Sequence, residues 1–196
     1  MKHLLYLCII ISTASLAQTK TKSHYSTQVL SLLDSMKSAF ADGDEQKAFS
    51  FLDMAVEADS TNLQLLEVAG GWERAHNNFD RCLKTAMRQI RLAPKEPLFQ
   101  LRAAMILERN GDTINSRRYL ANTIKLYTQI LDTLKHETFE YSDAEFYLAY
   151  ANSIYDNSNN TRNYFLELYT KNPSSELEIY KSLSRGELLK KWFINE

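Results

Sequence analysis

The sequence predicts an all-α fold, an α-solenoid of about four helix–turn–helix repeats closed by a C-terminal capping helix. Three sets of positions carry that reading. Gly43, Asn77 and Gly111 stand 34 residues apart, as do Ala48, Cys82 and Ser116, and Met36, Gly70 and Ala104. Each set is one structural position met three times, a turn and two helix-face sites. A period of this length marks a helical hairpin repeated in a stack. Composition agrees, with only 5 Gly and 3 Pro among 196 residues. Helices tolerate neither residue well in their interiors.

The first residues are read as a targeting segment rather than as fold. Lys2 and His3 form a short basic start, Leu4 to Ile11 is apolar, and Ser15-Leu16-Ala17 offers small residues at a cleavage site before Gln18. That is the layout of a secretory signal peptide over residues 1–17. The apolar run is shorter than the ~20 residues of a membrane-spanning helix. An uncleaved anchor or a buried N-terminal helix is the competing reading. The compact ending resembles secretory signals of Gram-negative bacteria of the Bacteroidetes type, which implies a periplasmic or secreted protein. Cys8 follows Leu7 inside the apolar run, so it lacks the small preceding residue of a lipid-attachment site. Cleavage leaves Cys82 alone, and a single cysteine closes no internal disulfide.

The mature chain of ~180 residues is long enough to bury roughly two-thirds of its surface. The net charge is −1 with 23 Lys+Arg against 24 Asp+Glu, and loss of Lys2 takes it to about −2. No basic field exists for nucleic acid or anionic lipid. Residues 18–28 are polar, disordered or the start of a leading helix. From Val29, Leu32, Leu33 and Met36 share a face before the Asp42-Gly43-Asp44 turn. Asp44 caps a helix on which Ala48, Phe51, Leu52, Ala55 and Val56 recur with one-sided spacing. Thr61 with Gln64 forms a capping box for the next helix. Leu66, Ala69 and Gly70 give that helix a narrow face, Asn77-Asn78 is its turn, and Cys82, Ala86 and Ile90 face inward beyond it. The third unit starts near Pro97 and carries Leu101, Ala104 and Leu107. After Asn110-Gly111-Asp112, the run Leu120, Ile124, Tyr127, Leu131 and Leu134 predicts one long helix from Thr113 to Lys135. A fourth unit restarts at Ser142, boxed with Glu145, and turns at Asp156 to Asn160. Phe165, Leu166 and Tyr169 follow it. Ser175 with Glu178 opens the capping segment, 176–196, bent at Gly186.

These positions resemble the tetratricopeptide repeat family over 29–175. Gly70 and Ala104 match its small site in the first helix, Gly43 and Gly111 its turn, and Ala48, Cys82 and Ser116 its first alanine-like site. Ala55 matches the second such site, and Pro94 and Pro173 match the closing proline. Met36, Gln89, Thr123 and Ser60 depart from the pattern. The resemblance implies a right-handed superhelix whose first helices line a concave, protein-binding side. An unrelated helical bundle with a chance period is the competing architecture.

No catalytic constellation is present. The glycines form no phosphate loop, and neither S-x-x-K nor G-x-S-x-G occurs. His24, His76 and His136 never stand at metal-ligand spacing and read as surface residues. Asp42-Gly43-Asp44-Glu45 lacks the sixth-place glycine and twelfth-place glutamate of a calcium loop. Cys82 reads as an inert core thiol. The chain is therefore expected to be no enzyme and to need no cofactor or metal. The candidate site is the concave face: Lys37, Gln64, Glu67, Gly71, Arg74, Arg102, Met105, Glu108, Arg109, Phe146 and Tyr150. Arginine forks suit the carboxylates of a bound segment, with Met105, Phe146 and Tyr150 as apolar anchors. Two alternatives stand beside it. Glu67 and Glu108 neutralise the arginines within the stack, or the aromatics Tyr141, Phe146, Tyr147, Tyr150, Tyr155, Tyr164, Phe165 and Tyr169 bind carbohydrate or an envelope polymer. The expected partner is a protein or peptide, not nucleic acid, and no integral membrane segment remains after signal cleavage.

Overall fold

A computed structural model describes residues 25–136, 138–156 and 163–193. The signal segment and its cleavage site lie outside the described residues, as does most of the turn expected after Asp156. The described residues form ten helices and no strand. They are α1 (Thr27–Ala41), α2 (Glu45–Ala58), α3 (Leu63–Ala75), α4 (Phe79–Leu92), α5 (Pro97–Arg109), α6 (Thr113–Leu131), α7 (Phe139–Tyr155), α8 (Tyr164–Lys171), α9 (Ser175–Tyr180) and α10 (Arg185–Trp192). Neighbouring helices pack as four pairs, α1 on α2, α3 on α4, α5 on α6 and α7 on α8. The solenoid-like stack of helical hairpins read from the 34-residue period is the architecture observed.

The period has one physical cause. Gly43, Asn77 and Gly111 all adopt positive φ, at 79°, 56° and 80°. Each closes the same pair of backbone hydrogen bonds. Asp44, Asn78 and Asp112 N–H donate to the carbonyls of Ala39, Glu73 and Leu107 at 2.9, 2.8 and 2.9 Å. Gly43, Asn77 and Gly111 N–H donate to Phe40, Arg74 and Glu108 at 3.1, 2.9 and 3.1 Å. This is the Schellman C-cap, which requires a left-handed residue. The following residue then starts the partner helix. Asp44 and Asp112 side chains accept from Lys47 N and Asn115 N, at 3.0 and 3.2 Å, whereas Asn78 makes no side-chain cap.

Small residues sit where the paired helices cross. Ala48, Cys82 and Ser116 are buried, as are Met36 and Ala104. Two of the departures, Gln89 and Thr123, are accommodated by polar bonds. Gln89 Nε2 donates to Glu67 Oε2 at 2.9 Å, and Thr123 Oγ1 donates to Tyr119 O at 2.9 Å. Burial lifts the Cys82 thiol to about 11, consistent with an inert core sulfur. The apolar core falls into two clusters. One joins α1, α2 and α3 through Val29, Leu33, Met36, Leu52, Leu65 and Ala69. The other runs from α4 to the C-terminus through Leu101, Met105, Leu120, Tyr150, Phe165, Leu188 and Phe193. His76, expected at the surface, is half-buried and stacks on Phe40 at 4.2 Å within the first cluster's aromatic end, beside Trp72 and Phe49.

Several boundaries differ from expectation. The long helix stops at Leu131, four residues short of Lys135, and just past its end Thr133 N–H closes a tighter i→i−3 turn on Ile130 O at 3.0 Å. The fourth pair starts at Phe139 under a Thr138 cap, so Ser142 lies inside α7 and caps nothing. Asn62 caps α3 in place of Thr61, and Ser174 caps α9 in place of Ser175. The capping segment is two short helices. Its break lies at Lys181–Ser184, where Ser184 and Glu187 form a capping box, and Gly186 sits in the first turn of α10 rather than at a bend.

The turns give a matched test. Gly43→Ala and Gly111→Ala are each expected to cost about 1 kcal/mol through the left-handed backbone. Gly186→Ala, at ordinary helical φ with open space beside it, should be neutral or slightly stabilising. Equal urea midpoints for all three variants would refute the turn assignment.

Candidate functional site

The first helices α3, α5 and α7 bring part of the predicted face together. On α3, Gln64, Glu67, Gly71 and Arg74 recur at helical spacing. Gln64 and Gly71 are exposed, and a Cβ at Gly71 would meet nothing within 4 Å. Arg102 from α5 reaches across to Glu67 in a two-pronged ion pair. Glu67 also accepts from Gln89, so one carboxylate ties α3, α4 and α5 together. Burial works against the charge on Arg102, and Glu67 more than restores it, leaving its pKa raised. Arg74 differs. It is half-buried and forms no ion pair among the described residues; burial, then the charge of Arg102, hold its pKa down. The Tyr147 hydroxyl of α7 lies close enough to act electrostatically on both arginines.

The rest of the predicted face is used by the chain itself. Met105 is fully buried and Tyr150 is 2% exposed, so neither offers a side chain to an incoming partner. For Tyr150 the reason is α10, which lies against both α7 and α5. Tyr150 OH donates to Leu188 O, and its ring meets Trp192 edge-on at 5.3 Å. Glu108 pairs with Arg185, not with Arg74 or Arg109, and Arg185 Nε donates to Ile154 O at 3.0 Å. Arg109 lies over the Phe79 ring at 4.0 Å and the Phe193 ring at 5.2 Å. Phe146 packs among Tyr150, Phe165 and Tyr180. Lys37 is exposed on α1 and pairs with Asp34 at 3.2 Å, away from the arginines. The structural ion network expected as an alternative thus exists at Glu67–Arg102, with a different partner at Glu108. The aromatic run is packing: Tyr150 and Phe165 are buried among other rings. Of that run only Tyr155 is exposed, and Arg117 lies over it.

On the side formed by the second helices, sequence reading missed a buried acid. Glu73 continues the Leu66–Ala69 face of α3 and is 4% exposed. Arg81 of α4 forks onto Asp53 of α2 and places Nε 3.6 Å from Glu73 Oε1. Glu73 Oε2 has no partner. Burial raises the Glu73 pKa to about 7, with Thr85 and Arg81 pulling it back down and Asp53 pushing it up. The helical spacing of 66, 69 and 73 was the available signal. Among the described residues no cluster of His, Cys, Asp and Glu could hold a metal ion, and no helix is long and apolar enough to cross a membrane.

No family model matches the chain. No curated protein matches it. Among solved structures it is similar to the Yersinia enterocolitica type III secretion translocator chaperone SycD. The identity is 17%, over 61% of this chain and 87% of that one, with a TM-score of 0.43.

A carboxyl raised in the folded state stabilises fully below its unfolded value near 4.5, and that contribution is lost as pH rises through about 7. Glu73→Gln lacks this loss. Between pH 4.5 and pH 8 the stability difference should move in the variant's favour by up to about 3 kcal/mol. Urea denaturation at both pH values measures it, and a pH-independent difference would overturn the assignment.

Proposed function

We propose that this chain is a divergent, exported member of the tetratricopeptide repeat family, a scaffold that holds a protein or peptide segment in the bacterial cell envelope. The observation that carries the reading is the strip on α3. Gly71 leaves open space beside the helix, and Arg74 stands next to it without an ion pair among the described residues. Arg102 of α5 and Tyr147 of α7 stand within electrostatic reach of Arg74, so three successive first helices contribute to its surroundings. An extended or acidic segment can approach the helix backbone closely at Gly71 and give a carboxylate to the Arg74 fork. A few such contacts suffice for micromolar affinity. The site needs no proton transfer, nucleophile or cofactor to do this, and the reading is of a binding protein rather than an enzyme.

The face has shrunk from the one the sequence suggested. Glu67 and Arg102 brace it, while Arg109, Phe146 and Tyr150 support it from behind or beside. Two variants isolate it. Arg74→Glu reverses the charge, and Gly71→Leu fills the strip without touching charge. Capture from the native envelope fraction, with wild type and variants at matched melting temperature, should show specific partners lost from both variants. Retention of every partner by both would refute the reading.

The envelope location rests on the residues 1–17 signal. Protein recovered from the envelope fraction should begin at Gln18 on N-terminal sequencing. A recovered chain that starts at Met1 would sink the export proposal.

A further inference from the structure

The opposite side of the stack carries a second, independent feature. Between α2 and α4, with α3 beneath, lies a groove of about 370 Å³. It lies on the seam between the first and second helical pairs, where α2 and α3 touch only sparingly. Its α4 wall presents Arg81, Lys84, Arg88 and Arg91; its acids are Asp53 and Glu73 alone. Both acids are engaged by Arg81. Lys84, Arg88 and Arg91 therefore face the groove with no ion-pair partner among the described residues. The α2 wall and the α3 floor each add one complementary feature. Val56 offers apolar surface above buried Leu52 and Leu66. Glu73 is 96% buried by its 4% exposure, and its Oε2 has no hydrogen-bond partner. A buried polar atom in that condition costs free energy unless something entering the groove completes it.

We propose that the α2–α4 groove is a docking site for an acidic peptide segment of a partner protein. Charge complementarity chooses the occupant. Three uncompensated cations in one wall select carboxylates, and Val56 selects an apolar side chain between them. A free backbone N–H or a Ser or Thr hydroxyl of the same segment supplies what Glu73 Oε2 lacks. The spacing also fits. Lys84 and Arg88 lie ~6 Å apart along the helix axis at 1.5 Å per residue. Carboxylates at alternate positions of an extended chain are ~6.6 Å apart. A segment of the form acid–apolar–acid thus turns its charges to the α4 wall and its apolar residue, on the opposite side of the extended chain, to Val56 on the α2 wall. The site shares no residue with the Arg74 strip, so the two stand or fall separately.

The test uses the full chain and a fluorescein-labelled octapeptide of alternating Glu and Val with one central Ser, read by anisotropy. Wild type should bind it and should bind the Gln-for-Glu peptide at least ~tenfold more weakly, since each tenfold is one lost contact of about 1.4 kcal/mol. Lys84→Glu/Arg88→Glu should lose binding. Val56→Trp, which blocks the groove and leaves every charge in place, should lose it too. Lys125→Glu/Lys190→Glu makes the same change in net charge elsewhere and should retain it, as should Gly71→Leu. Helicity and melting temperature establish that each variant is folded. Absence of binding to wild type overturns the proposal, as does equal binding of the Gln peptide or survival of binding in a folded Val56→Trp. Equally tight binding of a single-stranded oligonucleotide also overturns it, since that would make the wall a general polyanion surface.

Discussion

Everything in this stack depends on a backbone constraint two residues wide. At Gly43, Asn77 and Gly111 the chain must enter the left-handed region, close two backward hydrogen bonds and begin the next helix at once. That leaves almost no slack between the paired helices. Their crossing is therefore set by the turn, and the residues at the crossing must be small enough to allow it. Ala48, Cys82 and Ser116 are buried because the turn five residues earlier puts them there. The 34-residue spacing is the trace of that geometry in sequence.

Between pairs, polar bonds do work that small apolar residues do within them. Glu67 receives both Arg102 and Gln89, so α3, α4 and α5 share one carboxylate. Gln89 occupies a place where the repeat pattern expects alanine, and its amide has a partner there. Removing Glu67 would strand two donors at once, which is why such a site is coupled rather than additive. At the first boundary the solution differs. The Phe40, Trp72 and His76 rings stack at one end, while Asp53, Arg81 and Glu73 form a polar seam at the other.

What the sequence displayed was local. The turns, the inward faces of α2, α4 and α6, and the Asp44 and Asp112 caps follow from spacing and residue type within one hairpin. Caps failed where several candidates stood side by side: Asp59-Ser60-Thr61-Asn62 offers four, and only backbone geometry chooses Asn62. Ser142 failed because Thr138, one turn earlier, takes the role. The face assignment failed at Met105 and Tyr150 for a different reason. Periodicity identifies which side of a helix is apolar, but not which distant segment will cover the other side. Glu73 was legible in principle as the next step of the Leu66–Ala69 face, and charge alone hid it.

The covering helix has a consequence for the order of events in folding. Nearly all packing in the stack joins neighbouring helices, which form quickly because short loops close cheaply. Arg185 meets Glu108 across 77 residues of sequence, and Phe193 reaches Phe79 at the head of α4. Neither contact has anything to close upon until the second and third hairpins exist. The C-terminal strap therefore fastens last. By the same kinetics it is the piece whose release precedes the loss of the hairpins beneath it, so its lifetime sets how long Tyr150 stays shielded.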